Sequence, residues 1–285
     1  MRVLFIGDIV GSPGRRIVKD RLADTVAQQR IDLVIANCEN AASGFGITPR
    51  LVEELLATGI DVLSGGNHIF DRKEIFDYFP HQPRLLRPAN FAPSSPGSGL
   101  YVGEKNGFAY AVLNLQGRTF MQPIDCPFRA ADTLLATLPP HVRFVLLDMH
   151  AETTSEKLAM GWYLDGRVTA LVGTHTNVAT ADEQILPRGT AYISDVGMTG
   201  PHDGVIGMDR AGIVQKFLDG LPRRFEVAAG NIQMNCVLIE VDPAALASDS
   251  PGLPVSSPAA VYPEGAAGSQ RAAAMSITRF RLRID

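Results

Sequence analysis

The sequence contains little cysteine and no long apolar run. Three cysteines, Cys38, Cys126 and Cys236, occur among 285 residues. Their odd number and the lack of CxxC spacing argue against a disulfide framework and against a thiolate zinc site, so we expect a reducing, cytoplasmic environment. No apolar segment approaches the ~20 residues that span a bilayer. The short apolar start is interrupted by Asp8, so we expect neither a membrane protein nor a secretion signal.

An excess of positive charge is also missing. Lys and Arg number 26 against 30 Asp and Glu, which gives a net charge of −4. A protein that holds a nucleic-acid backbone through counterion release needs a broad basic face. We therefore expect no large nucleic acid as a partner. The composition, 46% hydrophobic and 20% charged, is typical of a compact globular protein and excludes a mainly disordered chain.

Common nucleotide-loop and serine-nucleophile motifs are absent as well. The glycines near the start, at positions 7, 11 and 14, do not have the G-x-G-x-x-G spacing of a dinucleotide loop, and no G-x-x-x-x-G-K-[ST] phosphate loop occurs. The segments 43–46 and 64–66 do not form a G-x-S-x-G nucleophile elbow. Hydrolysis through a serine nucleophile is therefore disfavoured.

The first 180 residues alternate short β-branched runs with amphipathic segments, the pattern of βαβ units on a largely parallel sheet. The predicted strands are 2–6, 33–36, 61–63, 109–115, 143–147 and 168–172, and the predicted helices are 14–28, 49–57, 129–137 and 155–164. Later, 183–186 and 191–194 resemble a hairpin, and 235–241 resembles a further strand. We expect these later strands to form a second, more antiparallel sheet packed on the first.

The domain prediction comprises one globular unit with an insertion near its end. Residues 242–274 are dense in Ala, Ser, Pro and Gly and lack hydrophobic periodicity, so we predict a flexible insertion. It separates the main domain, 1–241, from a returning terminal strand of the same domain, 275–285. In that strand Arg279, Arg281 and Arg283 alternate with less polar residues. We interpret the arginines as a charged, solvated edge, with a partner surface as the alternative.

Polar side chains follow five of the predicted strands, at the point where each ends. The segments that carry them are 7–8, 37–40, 65–68, 148–152 and 173–177. Because the carboxyl ends of parallel strands share one edge, these segments would converge on one crevice. Mixed carboxylate, amide and imidazole groups suit divalent iron, manganese or zinc better than copper or magnesium.

Each of these residues also has a plain structural interpretation. Asp8 could be a helix cap, and Asn40 and Asn67 could be turn residues. His150 and His175 could be hydrogen-bonded structural histidines. Their joint occurrence at successive strand ends favours the metal site over the separate explanations.

Six motifs occur in order within residues 1–240. They are Gly7-Asp8, Glu39-Asn40-Ala41-Ala42, Gly66-Asn67-His68, the run from His150 to Lys157 (HAETTSEK), Gly173-Thr174-His175-Thr176, and the run from Asp195 to Pro201 (DVGMTGP). This ordered set resembles the bacterial YmdB-like family of the calcineurin-like metallophosphoesterase superfamily. The resemblance implies an α/β fold, a four-layer αββα sandwich in which helices flank two mixed sheets.

The same resemblance implies an activity and roles for individual residues. The activity is that of a phosphodiesterase acting on small phosphodiesters, notably 2′,3′-cyclic nucleotides. Two metal ions, iron or manganese with zinc as an alternative, would be bridged by Glu39. Asp8 and Asn40 would bind the first ion, and Asn67, His150 and His175 the second. His68 would be the catalytic proton donor to the leaving ribose oxygen once the metals have activated a water.

Asn177 departs from the family pattern, which has G-T-H-T-H at this motif. An amide oxygen is a weaker ligand than imidazole for a transition ion, so occupancy of the first metal site is open. The leading hypothesis is a dinuclear phosphodiesterase. Its alternatives are a metal-binding regulatory or scaffold protein with impaired catalysis, and a phosphomonoesterase. A homo-oligomer is compatible with all three hypotheses.

Four further residues have predictions of their own. His81 and His141 adjoin prolines and are expected to face solvent. His202 follows a family-like motif and is a candidate for the border of the pocket. Trp162, on a predicted helix, is expected in the core.

Overall fold

Two six-stranded sheets make up the centre of the protein. The computed structural model describes residues 1–247 and 271–284. Its strands are β1 (Arg2–Ile6), β2 (Leu33–Asn37), β3 (Val62–Ser64), β4 (Leu100–Lys105), β5 (Phe108–Gln116), β6 (Phe144–His150), β7 (Ala170–Thr174), β8 (Gln184–Ile185), β9 (Ala191–Ile193), β10 (Gly200–Pro201), β11 (Ile232–Val241) and β12 (Ala274–Ile284). Its helices are α1 (Gly11–Gln29), α2 (Pro49–Ala57), α3 (Ile75–Tyr78), α4 (Pro127–Thr137), α5 (Thr154–Leu164), α6 (Arg210–Asp219) and α7 (Pro243–Ala247).

Both sheets mix parallel and antiparallel pairs. The first has the order β10-β11-β1-β2-β3. Its sixth strand, β12, lies outside this order and pairs with β11 along the whole length of that strand. In this sheet β1, β2 and β3 are parallel, whereas β11 runs antiparallel to β1. The second has the order β4-β5-β6-β7-β9-β8. Its central strands β5, β6, β7 and β9 are parallel, and β4 and β8 are antiparallel edges.

Three hydrophobic clusters show how the layers pack. One joins the first sheet to α1 and α2, through residues such as Ile6, Leu22 and Leu55. The second lies between the two sheets. The third joins the second sheet to α4 and α5, through residues such as Leu135 and Met160. The order is therefore helix, sheet, sheet, helix, and the predicted four-layer fold of two mixed sheets flanked by helices is confirmed.

The strands are divided between the sheets differently from the prediction. The residue pattern placed all strands of the first 180 residues in one largely parallel sheet and the later strands in a second sheet. Strands β1 to β3 and β5 to β7 lie in different sheets, the predicted hairpin (β8 and β9) extends the second sheet, and β11 and β12 complete the first. Apolar periodicity reports that a strand is buried, and it carries no information about which strand is its neighbour. Both sheets therefore contain strands from the early and the later parts of the chain.

Local predictions agree with the structure over most elements. Helix α2 has the predicted bounds, and α1 begins at Gly11 instead of residue 14. Strand β4 and helix α6 were not predicted. His81 and His141 are exposed, as expected. Trp162 is 45% exposed, so its placement in the core was wrong.

The terminal strand forms an edge of the first sheet, and two of its arginines, Arg279 and Arg281, bind acceptors of the same chain. Nε of Arg279 donates to Glu183 at 2.6 Å, and Nε of Arg281 donates to Asn235 at 2.7 Å. Residues at both ends of the predicted insertion are ordered: Leu246 of α7 and Ala272 are buried between the sheets. The remainder of the insertion, 248–270, lies outside the described residues.

Candidate metal centre

The polar segments that follow strands of both sheets meet at one edge of the sandwich. Asp8 follows β1, Glu39 and Asn40 follow β2, and Asn67 follows β3, while His150 ends β6 and His175 and Asn177 follow β7. A hydrogen bond of 3.0 Å from Asn37 to Asp148 joins β2 to β6 directly. The carboxyl ends of parallel strands in both sheets therefore supply one site, where the residue pattern had predicted the edge of a single sheet.

Nε2 of His150 lies at the centre of the first group of donors. It is 2.9 Å from Oδ1 of Asn67, 3.1 Å from Nδ1 of His175 and 3.1 Å from Oε1 of Glu39. Ligand atoms of Glu39, His150 and His175 lie within 4.8 Å of one another. One imidazole proton cannot satisfy three acceptors, whereas a cation accepts lone pairs from all four groups. These residues fit the metal that the resemblance implied.

The ring of His150 is oriented by a short hydrogen-bonded chain. Its Nδ1 is 2.9 Å from the hydroxyl of Thr174, and that hydroxyl donates to Oδ1 of Asp148 at 2.7 Å. Because the hydroxyl proton is directed to the carboxylate, the hydroxyl accepts from Nδ1–H of His150. This leaves the lone pair on Nε2, the nitrogen that faces the other donors. Ser64 donates to the second oxygen of Asp148 at 2.5 Å.

Three further oxygens, on the loops that follow β1, β2 and β7, are here called the second group of donors. Oδ1 of Asp8, Oδ1 of Asn40 and Oδ1 of Asn177 are buried and have no hydrogen-bond partner among the described residues. Buried oxygens without a partner are rare and unfavourable, and a bound cation would satisfy them. Oδ2 of Asp8 accepts from the backbone N–H of His175 at 3.3 Å. Nδ2 of Asn40 donates to Oε1 of Glu39 at 3.2 Å, so Glu39 contacts both groups.

The electrostatics of the site favour a bound cation. Burial would raise the pKa of Glu39, but the charge of His150 lowers it to about 2. Burial would lower the pKa of His150, but the carboxylate of Glu39 raises it to about 9. Burial and the charge of His150 together lower the pKa of His175 to about 3. Burial, reinforced by the charge of Glu39 and opposed by that of His150, raises the pKa of Asp8. Glu39 therefore requires a positive charge beside it, which the protonated ring of His150 supplies in this structure. A ligand histidine must be neutral, as His175 is, so a bound cation would take over that role as Nε2 of His150 loses its proton.

Gly66 leaves room for this arrangement. A Cβ at Gly66 would lie 2.3 Å from Oε2 of Glu39 and 2.3 Å from Nε2 of His150. The backbone N–H of His68 donates to the same oxygen of Glu39 at 3.0 Å. The loop after β3 therefore approaches the donors so closely that only glycine fits at this position.

His68 lies beside the donor groups and is partly accessible to solvent. It lines a cavity of about 310 Å³ together with Glu39, Asn40, His175 and Asn177, and its side chain is 32% exposed. Its Nδ1 is 2.8 Å from Oδ2 of Asp71. Since a carboxylate only accepts, Nδ1 carries a proton and Nε2 is the nitrogen free to exchange one.

Sequence reasoning assigned no role to Asp71, Lys157 or Asp195. Asp71 is three residues from His68, and that spacing is only a weak indication that the two side chains are in contact. Nζ of Lys157 binds Oδ2 of Asp195 at 2.8 Å in the interior. Lys157 lies on the buried face of α5 with Met160 and Leu164, and the i, i+3, i+7 spacing could have revealed it.

His202 does not join the site. Its Nδ1 donates to the carbonyl of Gly200 at 2.9 Å, and Nδ2 of Asn235 lies 3.3 Å from its Nε2. Within the described residues it is not part of the cavity lining around His68.

The fold and the cluster of Glu39, His150 and His175 are typical of the metallophosphoesterase class. The model of the family described as YmdB-like protein matches residues 4–250. Over 242 residues the chain is 51% identical to the 2′,3′-cyclic-nucleotide 2′-phosphodiesterase of Bacillus subtilis (strain 168), covering 85% of this chain and 92% of that protein. The chain therefore belongs to the YmdB-like family.

Solved structures agree with this assignment. A protein of Thermus thermophilus superposes with a TM-score of 0.85 and 38% identity over 100% of both chains. A protein of Mycoplasma pneumoniae, described as a novel phosphatase, superposes with a TM-score of 0.84 and 32% identity over 100% of this chain and 94% of that one. Among residues 1–247 and 271–284, no helix has the length and apolar character to cross a membrane.

Proposed function

We propose that this protein is a dinuclear metal-dependent phosphodiesterase that hydrolyses small phosphodiesters, with 2′,3′-cyclic nucleotides as substrates. The observation that carries the proposal is the pair of donor groups that share Glu39 at the edge of a cavity containing His68. The Bacillus subtilis relative, named as a 2′,3′-cyclic-nucleotide 2′-phosphodiesterase, supports the choice of substrate.

Two ions would occupy the two donor groups. Asn67, His150, His175 and Glu39 would hold one, and Asp8, Asn40, Asn177 and Glu39 the other. Nitrogen and oxygen donors together favour iron or manganese, with zinc as an alternative. When bound, such ions lower the pKa of a water and neutralise phosphate oxygens during in-line attack.

His68 would supply the proton that the leaving group needs. Water adds to phosphorus, the bond from phosphorus to the ribose 2′ oxygen breaks, and that oxygen takes up a proton to give a 3′-phosphate. Nε2 of His68 is the nitrogen able to donate it, because Nδ1–H is bound to Asp71. His68 lies beside the cavity and outside the closely packed donors, as a proton donor to substrate must.

Asn177 favours a second candidate function, a metal-binding regulatory or scaffold protein with impaired catalysis. Asn177 stands where the family pattern has a ligand histidine, and its backbone has a left-handed φ of 65°. Asn adopts that conformation readily, and His is also enriched in it. A histidine can therefore replace Asn177 with little backbone strain.

Metal analysis combined with kinetics tests the proposal. We expect about two metal ions per chain and hydrolysis of 2′,3′-cyclic AMP by the unmodified protein, with tighter binding of the first ion in Asn177→His. The matched control is Asn106→His, at an exposed left-handed position in the β4–β5 hairpin, which should change neither quantity. Activity that appears only in Asn177→His would support the scaffold function. Faster hydrolysis of 3′-AMP than of the cyclic nucleotide would indicate a phosphomonoesterase.

A further inference from the structure

The cavity beside His68 has an apolar wall that the proposed chemistry does not use. Besides the polar residues of the site, its lining includes Val10, Phe45, Ile206, Met208, Ile213 and Phe225. None of these side chains transfers a proton at neutral pH, and the thioether of Met208 binds only soft metal ions, which the mixed oxygen and imidazole donors do not favour. A lining that combines apolar side chains with polar groups able to fix a ligand's orientation is typical of sites for small organic ligands. We call these six residues the apolar wall.

Ile206 occupies an unfavourable backbone conformation in this wall. Val205 and Met208 exchange backbone hydrogen bonds of 2.9 and 3.0 Å around a two-residue turn, in which φ is 44° at Ile206 and 88° at Gly207. A left-handed φ is an outlier for a β-branched residue and costs free energy. The side chain of Ile206 is 48% exposed. The free energy gained by burying it within the protein therefore offsets only part of the cost of the left-handed backbone.

A second turn of the same kind, far from the site in the sequence, has a different residue at the position that corresponds to Ile206. The β4–β5 hairpin turns at Asn106 and Gly107, with φ of 54° and 79°. Asn-Gly is the favoured pair for such a turn. The isoleucine at position 206 is therefore not explained by the turn, and its side chain faces the cavity.

Close packing holds the turn against the loops that carry the metal donors. A Cβ at Gly207 would lie 2.8 Å from Cγ1 of Val10, and one at Gly44 would lie 2.5 Å from Cε of Met208. Phe225 is positioned separately, because Nζ of Lys216 lies over its ring at 4.9 Å. The apolar wall is thus fixed in place relative to the donors.

We propose that the apolar wall, through Ile206 and Phe225, binds the base of a nucleoside 2′,3′-cyclic phosphate. This inference rests on the proposed function, since it places the phosphate at the metal donors. A nucleobase is flat and stacks on aromatic and apolar side chains without regard to sequence. The six side chains of the apolar wall have no hydrogen-bond donor with which to select one base over another, so the wall binds purines and pyrimidines alike. Its contribution falls on KM and leaves kcat unchanged.

Kinetics on two substrates test the proposal. One is 2′,3′-cyclic AMP, and the other is ethylene phosphate, a five-membered cyclic diester with no base. In Phe225→Ala we expect KM for cyclic AMP to rise about tenfold, the order of one base–aromatic stacking contact. In Ile206→Asn we expect a smaller rise, from the loss of apolar contact. KM for ethylene phosphate should be unchanged in both. Ile206→Asn should also raise Tm, because asparagine suits the turn. That combination separates a role in binding from a structural role.

Two matched variants control for the type of substitution. Asn106→Ile places isoleucine in the equivalent turn of the β4–β5 hairpin and should lower Tm without changing KM. Phe217→Ala removes a phenylalanine of α6 that is 84% exposed and should change neither quantity. Equal losses on both substrates, or an unchanged KM for cyclic AMP, would overturn the proposal. If the unmodified protein hydrolyses neither substrate, the proposed function fails; calorimetric binding of cyclic AMP to the same variants then decides whether the wall holds the base.

Discussion

Nζ of Lys157 lies 2.8 Å from Oδ2 of Asp195, and both side chains are almost fully shielded from solvent, at 0% and 1% exposure. The same oxygen of Asp195 accepts from the backbone N–H and the hydroxyl of Thr176, at 3.1 and 2.7 Å. Thr176 stands between His175 and Asn177. The ion pair therefore connects α5 to the loop that carries two of the predicted metal ligands.

Removing the cation of this pair should destabilise the fold and the loop together. Lys157→Met leaves a buried carboxylate without its counter-charge, and we expect the free energy of unfolding to fall by about 3–5 kcal/mol. Urea denaturation measures the loss, and metal analysis should show reduced occupancy. Arg279→Gln, which breaks the partly exposed pair with Glu183, is the control and should cost no more than about 1 kcal/mol. Equal effects of the two variants would contradict a special role for Lys157.

Substitution of Gly66 tests how closely its loop approaches the donor groups. Gly66→Ala would place a methyl group 2.3 Å from both Glu39 and His150, so we expect loss of bound metal as well as lower stability. The control is Gly212→Ala in α6, where a Cβ would meet no atom of the described chain within 4 Å. That change should stabilise the protein by about 0.4–1 kcal/mol. Normal metal content in Gly66→Ala would show that the loop can move away from the donors.

The strand-end residues illustrate what could be predicted from the sequence. Asp8, Asn67 and His150 stand at the ends of apolar runs, and periodicity indicates the end of a buried strand without knowledge of its neighbours. That β3 and β6 belong to different sheets was not predictable in this way, because pairing depends on contacts distant in sequence. The residue pattern thus identified a common edge and a second sheet, but not which strands form each sheet; the family resemblance supplied the arrangement of two mixed sheets flanked by helices.

The apolar wall and the buried ion pair could not be predicted for a different reason. Ile206 and Phe225 lie in irregular segments between β10 and β11, where no hydrophobic period relates one residue to the next. The helical spacing of Lys157 with Met160 and Leu164 indicates only that Lys157 is buried, and Asp195 was visible only as a member of a matched motif. Their roles depend on a contact across 38 residues of chain, and a single sequence does not reveal that two such residues meet.

The pairing of His68 with Asp71 leads to the last prediction, which concerns proton donation. His68→Asn should lower kcat for 2′,3′-cyclic AMP by about 10²–10⁴, the usual contribution of general acid catalysis, and leave metal content unchanged. Methyl p-nitrophenyl phosphate has a leaving group that needs little protonation, so its kcat should change little. Asp71→Asn keeps an acceptor for Nδ1–H but removes the charge that stabilises the imidazolium, and a smaller loss is expected. Asp77→Asn, an exposed carboxylate of α3, serves as its control. Full activity of His68→Asn on cyclic AMP would show that another group protonates the ribose oxygen.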